Sequence, residues 1–201
     1  MSNKKREAYC FMEHNSHEFT SLTGKFLIST PQMPDPRFSE HVIYICAHSA
    51  DGAMGVAINQ PNLSIPFAQI LQGVQLPVPE NELPPVHIGG PVDLESAFIL
   101  FFSDYRTQHK IDVSKTVSLT RETKVLEDIA NGSGPEKYLF ILGYTGWGPG
   151  QLEAELVDKG WLTVPASDEI IFQMNDELKW KAAAMQFGID ISLFEDQIGY
   201  A

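Results

Sequence analysis

Gly143-Tyr144-Thr145-Gly146-Trp147-Gly148-Pro149-Gly150-Gln151-Leu152-Glu153 is the stretch whose reading decides the fold. An apolar strand, Tyr138 to Gly143, runs into a glycine-dense turn that opens a helix from Gln151 to Asp158, which Gly160 ends. Glycines at alternate positions let the backbone take φ > 0 or press against another surface, and one rigid indole, Trp147, stands among them. The corner specifies architecture and supplies no reaction.

Strands and helices alternate irregularly on the N-terminal side of this corner. Lys25 to Ser29 and Val42 to Cys46 predict strands, the second apolar on both faces, and Ser49-Ala50-Asp51-Gly52 turns the chain into a third at Gly55 to Asn59. Pro66 with Phe67, Ile70, Leu71 and Val74 predicts a short amphipathic helix with Ser64 nearby as a cap. The proline-rich run from Pro77 to Pro85 is a loop, after which Val86 to Ile88, Ala97 to Phe102 and Val113 to Leu119 read as strands. Thr120 is the expected cap of a helix that buries Val125, Leu126 and Ile129 and closes at Gly132.

Beyond the corner, Trp161 to Val164 is extended. A last helix is capped by Asn175 or Asp176, with Trp180, Ala184 and Phe187 on one face and Gly188 at its end. The elements lack the strict alternation of a doubly wound sheet, so the fold class is α+β: a strongly curved mixed β-sheet with helices around it. Residues 1–23 read as a loose extension and 24–201 as a single domain.

Composition narrows the function classes. The chain has 201 residues, 43% hydrophobic and 20% charged, and a net charge of −12, which opposes attraction to a phosphate backbone. Direct DNA binding is therefore not expected, since the only tight basic run is Lys4-Lys5-Arg6. No apolar stretch reaches the length of about eighteen residues that a membrane span needs, and no secretory segment is visible, so the expected location is the cytosol. Two cysteines, Cys10 and Cys46, form no redox pair or disulfide framework.

Several constellations could carry chemistry. A glycine-rich turn before a helix suits an anion, but Pro149 lacks a donor, the spacing is not that of a phosphate loop, and Glu153 and Glu155 would repel the guest. Those two glutamates project about 200° apart on a helix and cannot form a catalytic pair, whereas Gln151 and Glu155 share a face. Cys46 and His48, two apart on a strand, share a face and invite a nucleophile and base reading, against which stands the usual burial of cysteine. His87, beside Gly89-Gly90-Pro91 and ahead of Asp93, marks a strand end where a pocket could open. Of six histidines only His14 and His17 approach a ligand spacing, and no structural metal is expected. Pro34-Asp35-Pro36 and Asn59-Gln60-Pro61 hold polar side chains in extended backbone, where they are expected to bond within their own loops.

Four groups of motifs give the chain a recognisable character. They are Gly24-Lys25-Phe26-Leu27-Ile28 with Pro31, Met33, Asp35 and Phe38; His48 with Asp51-Gly52-Ala53-Met54-Gly55 and Asn59-Gln60-Pro61; Gly89-Gly90-Pro91-Val92; and Gly143 to Trp147 with Gly150-Gln151-Leu152-Glu153 and Trp161-Leu162. In order and spacing, nearly the whole chain from Gly24 onward resembles the YqgE/AlgH family of bacterial proteins. The resemblance implies an α+β pseudo-barrel surrounded by helices in the bacterial cytosol, and no established reaction. The family's transcriptional-regulator label comes through an association with alginate production, without a recognisable DNA-reading element. This chain departs from the pattern at His41, Ala47 and Lys159-Gly160.

The expected function is a non-enzymatic regulatory module that binds a protein partner or small ligand at a cleft near Trp147. Its ligand-binding candidates are His48, His87, Gly89, Gly90, Asp93, Trp147 and Glu153. No cofactor is expected. The alternative is an enzyme such as a hydrolase, using His48 or His87 with Asp93 or Glu153.

Overall fold

The computed structural model describes residues 19–158 and 160–189. Along them run β1 (Lys25–Ser29), β2 (Val42–Ser49), β3 (Gly52–Ala57), β4 (Pro61–Asn62), α1 (Phe67–Gly73), β5 (Val86–Ile88), β6 (Val92–Phe102) and β7 (Ile111–Asp112). There follow β8 (Val117–Thr120), α2 (Thr123–Ala130), β9 (Tyr138–Trp147), α3 (Gln151–Val157), β10 (Trp161–Pro165), α4 (Asp168–Phe172) and α5 (Asp176–Gln186). The main path of the sheet is β10-β1-β2-β3-β9-β6-β8-β7, with β4 and β5 attached beside β9. Every pairing is antiparallel except β5 with β9, so the sheet is mixed.

β9 organises the whole. The expected strand ends at Gly143, but the observed one continues through the glycines to Trp147 because Thr145, Gly146 and Trp147 pair with Gly55, Met54 and Ala53. Its first half pairs with β5 on the same side where its second half pairs with β3, and β6 lies along its other side. The change of neighbour happens at Gly143 (φ 72°) and Gly89. A Cβ on Gly89 would lie 2.4 Å from the Gly143 carbonyl oxygen, so only glycine allows the two backbones to touch. The Gly89 carbonyl then accepts from Ala57 N–H (2.8 Å) and the Thr145 hydroxyl (3.2 Å), joining the three strands.

Burial patterns reveal the curl. Phe26, Tyr44, Val56, Phe98, Leu119, Ile141 and Val164, from seven strands, gather into one inner cluster closed by Ile170, Ile171 and Trp180 of α4 and α5. Residues on the outer face split into two clusters. Ile99, Phe101 and Phe140 pack on α1 and α2, while Leu27, Ile43, Ile45, Trp147 and Trp161 pack on Leu152 of α3. A flat sheet would give one cluster per face; a sheet bent into a half-barrel converges inside and diverges outside. Phe26 to Ile28 of β1 and Val42 to Cys46 of β2 are apolar at every position because both faces are covered there.

Local differences from the sequence reading have physical causes. In β2 the register shifts between Ile45 and Ala47, leaving Cys46 as the extra residue of a bulge. Cys46 therefore faces the inner cluster while His48 faces α3, and the two are not on a common face. α2 starts at Thr123 after Glu122, because Thr120 stays in β8 and its hydroxyl donates to the His109 carbonyl. Phe187 is 55% exposed past the end of α5, whereas Trp180 and Ala184 are buried. The five-residue α4 has no counterpart in the sequence reading. No described helix is long and apolar enough to cross a membrane.

The end of the expected loose extension is docked. Ser21 and Leu22 bond to His48, and Leu22 packs on the outer cluster of α3. Lys4-Lys5-Arg6, Cys10, His14 and His17 lie outside the described residues.

Candidate ligand cavity at the β9–α3 corner

Gly150 (φ 71°) turns the chain from β9 into α3 without a side-chain cap, and Gln151 stabilises the corner from inside, its amide oxygen accepting from Gly148 N–H at 3.0 Å. That bond uses a backbone donor an anion would have needed. The Gln151 amide nitrogen donates to Glu155 Oε1 (2.9 Å) one helical turn on. Glu155 Oε2 accepts from two indoles, Trp147 Nε1 at 2.8 Å and Trp161 Nε1 at 3.1 Å. One carboxylate thus ties the end of β9 and the start of β10 to α3, and it forms no ion pair among the described residues.

Beside this knot is a cavity of about 290 Å³. Phe38, Trp147 and Trp161 give it aromatic walls, and Met33, Pro34, Pro91 and Val92 complete the apolar surface. Phe38 meets Trp161 edge to face at a ring separation of 5.7 Å. Asp35, Thr145, Gln151, Glu155 and Asp158 supply the polar side chains. Asp35 is already engaged: it accepts from Arg37 N–H (3.0 Å) and pairs with the guanidinium at 2.6 Å, which holds its carboxyl below the usual range. Phe38 and Pro91 also border a shallower hollow of about 640 Å³, edged by Gly90, Leu63 and Leu94. Leu63 is 87% exposed there.

Other sequence candidates lie elsewhere. The His48 side chain is 2% exposed, and its Nδ1 accepts from Leu22 N–H at 3.0 Å. The proton therefore sits on Nε2, which donates to Glu153 at 2.9 Å. The ring also meets Phe19 at 4.8 Å. His87 does not line the cavity and does not meet Asp93. Its Nε2 lies 3.1 and 3.2 Å from the two carboxylate oxygens of Asp176 in α5, and its Nδ1 is buried with no protein partner.

Asp176 pairs in addition with the buried Lys179 at 2.8 Å, and Lys179 donates to the Ile58 carbonyl at 2.7 Å. This arrangement spends Asp176 on the core rather than on capping α5, and Asn175 makes no side-chain cap either. Asp93 (φ 49°) accepts from the Ser96 hydroxyl, which in turn accepts from Arg121 at 2.6 Å.

Cys46 donates weakly to the Tyr44 carbonyl at 3.5 Å, and burial pushes its thiol up to about 12, the opposite of an activated nucleophile. Asn59 bonds across to the start of β2 rather than within its own loop, accepting from Val42 N–H and donating to the Glu40 carbonyl. Among the described residues no group of three or more His, Cys, Asp or Glu could hold a metal.

Residues 26–192, from β1 past α5, match the AlgH-like family. The chain belongs to that family. A UPF0301 protein of Desulfotalea psychrophila is 45% identical over 190 residues, covering 94% of this chain and 100% of its own. A second UPF0301 protein, of Ruegeria pomeroyi, is 42% identical and covers 90% and 99%. The solution structure of the AlgH protein from Pseudomonas aeruginosa aligns with a TM-score of 0.72 at 37% identity, over 92% of this chain and 100% of that one. A crystal structure of a Corynebacterium diphtheriae protein reaches 0.70 at 18% identity, a likeness of fold.

Within this AlgH-like chain, three of the four motif groups meet at the cavity. Met33, Asp35 and Phe38 form one side, Pro91-Val92 another, and Gly146-Trp147, Gln151 and Trp161 the third. Of the seven sequence candidates Trp147 lines the cavity and Gly90 the adjoining hollow. Phe38, Glu155 and Trp161 were not among them, although the two indoles flanking α3 demand an acceptor and Glu155 shares the Gln151 face. At the departure Lys159-Gly160, a Cβ on Gly160 would rest 3.4 Å from Pro34, an ordinary contact, so an alanine would also fit there.

Proposed function

We propose that this chain is a non-enzymatic regulatory module of the cytosol that holds a small ligand, or a side chain presented by a partner protein, in the cavity between Phe38, Trp147 and Trp161. What supports this is the cavity itself: aromatic walls with fixed polar groups, assembled from the connection between β1 and β2, the start of β6, and the run from the end of β9 through α3 to β10. Its volume of about 290 Å³ falls just below the ~300–1,000 Å³ typical of small-molecule sites, which suits a compact group. Leu63, Val92 and Leu94 are exposed around it and its neighbouring hollow, where a partner's surface could rest.

The hydrolase alternative has the His48 and Glu153 contact in its favour. It is the weaker reading because Nδ1 is occupied by Leu22 and Nε2 by Glu153, leaving no free ring nitrogen to take a substrate proton.

A small-molecule library screened by thermal shift, together with a pull-down from native cytosol, tests the binding function. Binding should raise Tm and disappear when Trp147 or Phe38 is replaced by alanine in a variant that still folds. If neither assay yields a binder, or binders ignore both substitutions, the proposal fails.

A further inference from the structure

The geometry points to a specific guest: an organic ammonium, with its positive head in the cavity among Phe38, Trp147 and Trp161 and facing the carboxylates of Glu155 and Asp158. This ligand class rests on the cavity-binding function proposed above and narrows it.

Aromatic walls attract a cation through the negative faces of their rings, and they do so best where water is excluded. Trp147 and Trp161 are 6% and 4% exposed and are held by a shared acceptor, so their rings cannot swing away. The orientation cost of such a cage is therefore met before any ligand arrives.

Charge selects the sign of the guest. No described lysine or arginine lines the cavity, and Arg37, which adjoins Phe38, is bound to Asp35; Lys159, between Asp158 and Gly160, lies outside the described residues. Glu155 receives three hydrogen bonds, all from neutral donors, which orient the carboxylate without cancelling its charge. Asp158 has no ion pair among the described residues. An anion entering here would meet uncompensated negative charge in a partly desolvated space. A neutral guest would leave that charge unanswered, whereas an alkylammonium satisfies both the rings and the carboxylates.

The same head group could belong to a free quaternary amine or to a lysine side chain, methylated or not, on another protein. Calorimetry and tryptophan fluorescence should therefore compare choline, its uncharged carbon isostere 3,3-dimethylbutan-1-ol, and peptides carrying lysine or trimethyllysine. Choline or a lysine peptide should bind about ten- to thirtyfold more tightly than the isostere. Choline binding alone identifies a small-molecule source, and peptide binding in its absence a protein source.

Phe38→Leu should weaken the cation about fivefold. Asp158→Asn, at an exposed position that leaves the knot intact, should weaken it about two- to fivefold. Equal affinity for choline and the isostere, or cation binding indifferent to both substitutions, would overturn the ammonium assignment while leaving a cavity that binds other compounds. If no cation binds and the thermal-shift library and pull-down are also empty, the assignment and the binding function fall together.

Discussion

Glu155 holds together three parts of the chain through a single side chain, and the cost of losing it can be stated. Trp147 and Trp161 are buried, and each indole N–H has this carboxylate as its acceptor. A buried donor left without a partner costs about 1–3 kcal/mol. Glu155→Ala should therefore lower the unfolding free energy by about 2 kcal/mol or more in urea titrations at neutral pH, with a change in tryptophan emission. A loss below about 0.5 kcal/mol would mean that the indoles find other acceptors. The residue was legible only in part from the sequence: its shared face with Gln151 follows from helical spacing, but the approach of Trp147 and Trp161 is tertiary. At Cys46 and His48 sequence spacing misleads outright, since a one-residue bulge puts the two on opposite faces of the sheet.

The element most open to test is α5, whose attachment combines apolar packing with a buried polar cluster. Burial raises the Asp176 carboxyl, but the hydrogen bond from His87 and the charge of Lys179 outweigh it and hold the group below its ordinary value. Such a group contributes stability that is complete above the unfolded value of about 3.9 and is lost as pH falls through the folded value. Lys179 works the other way. Burial holds its ammonium below the ordinary value of 10.5 despite Asp176, so keeping it charged is a cost at neutral pH, relieved only as pH rises through the folded value.

Removing one partner of a buried pair should be severe and removing both mild. Asp176→Asn is expected to cost about 3 kcal/mol at pH 7, and its difference from the wild type should shrink in acid as the wild-type carboxyl becomes neutral. The double replacement Asp176→Asn with Lys179→Met should recover most of the loss. Equal destabilisation by the single and double variants, measured by urea titration at both pH values, would refute the pairing as the anchor of α5. None of this could be read from sequence, where Asp176 is an ordinary capping candidate and its real partner His87 is 89 positions away.

At the scale of the molecule, the α+β class and the curved mixed sheet were legible because strands of mixed periodicity and helices with clear apolar faces follow one another irregularly. The identity of neighbours was not. That β9 exchanges β5 for β3 at Gly143 depends on two glycines meeting across 54 positions, a fact of packing rather than of local pattern. The cavity was half visible for the same reason: its aromatic and glycine motifs stand out, but their convergence does not.

Global charge carries a further prediction. With a net charge of −12, duplex DNA of random sequence should produce no change in fluorescence anisotropy at about 50 mM salt. Micromolar binding with a steep salt dependence would bring back direct DNA contact.

One feature of the topology also bears on how the chain is made. β1 lies between β2 and β10, with Ser29 opposite Trp161, so a strand waits for a partner that follows it by 132 positions in the chain. Until β10 has left the ribosome, Phe26-Leu27-Ile28 present an uncovered apolar edge, the kind of surface that chaperones bind and that aggregation exploits. Chains arrested before Trp161 should therefore be recovered bound to chaperone or in inclusion bodies, and completing β10 should release them.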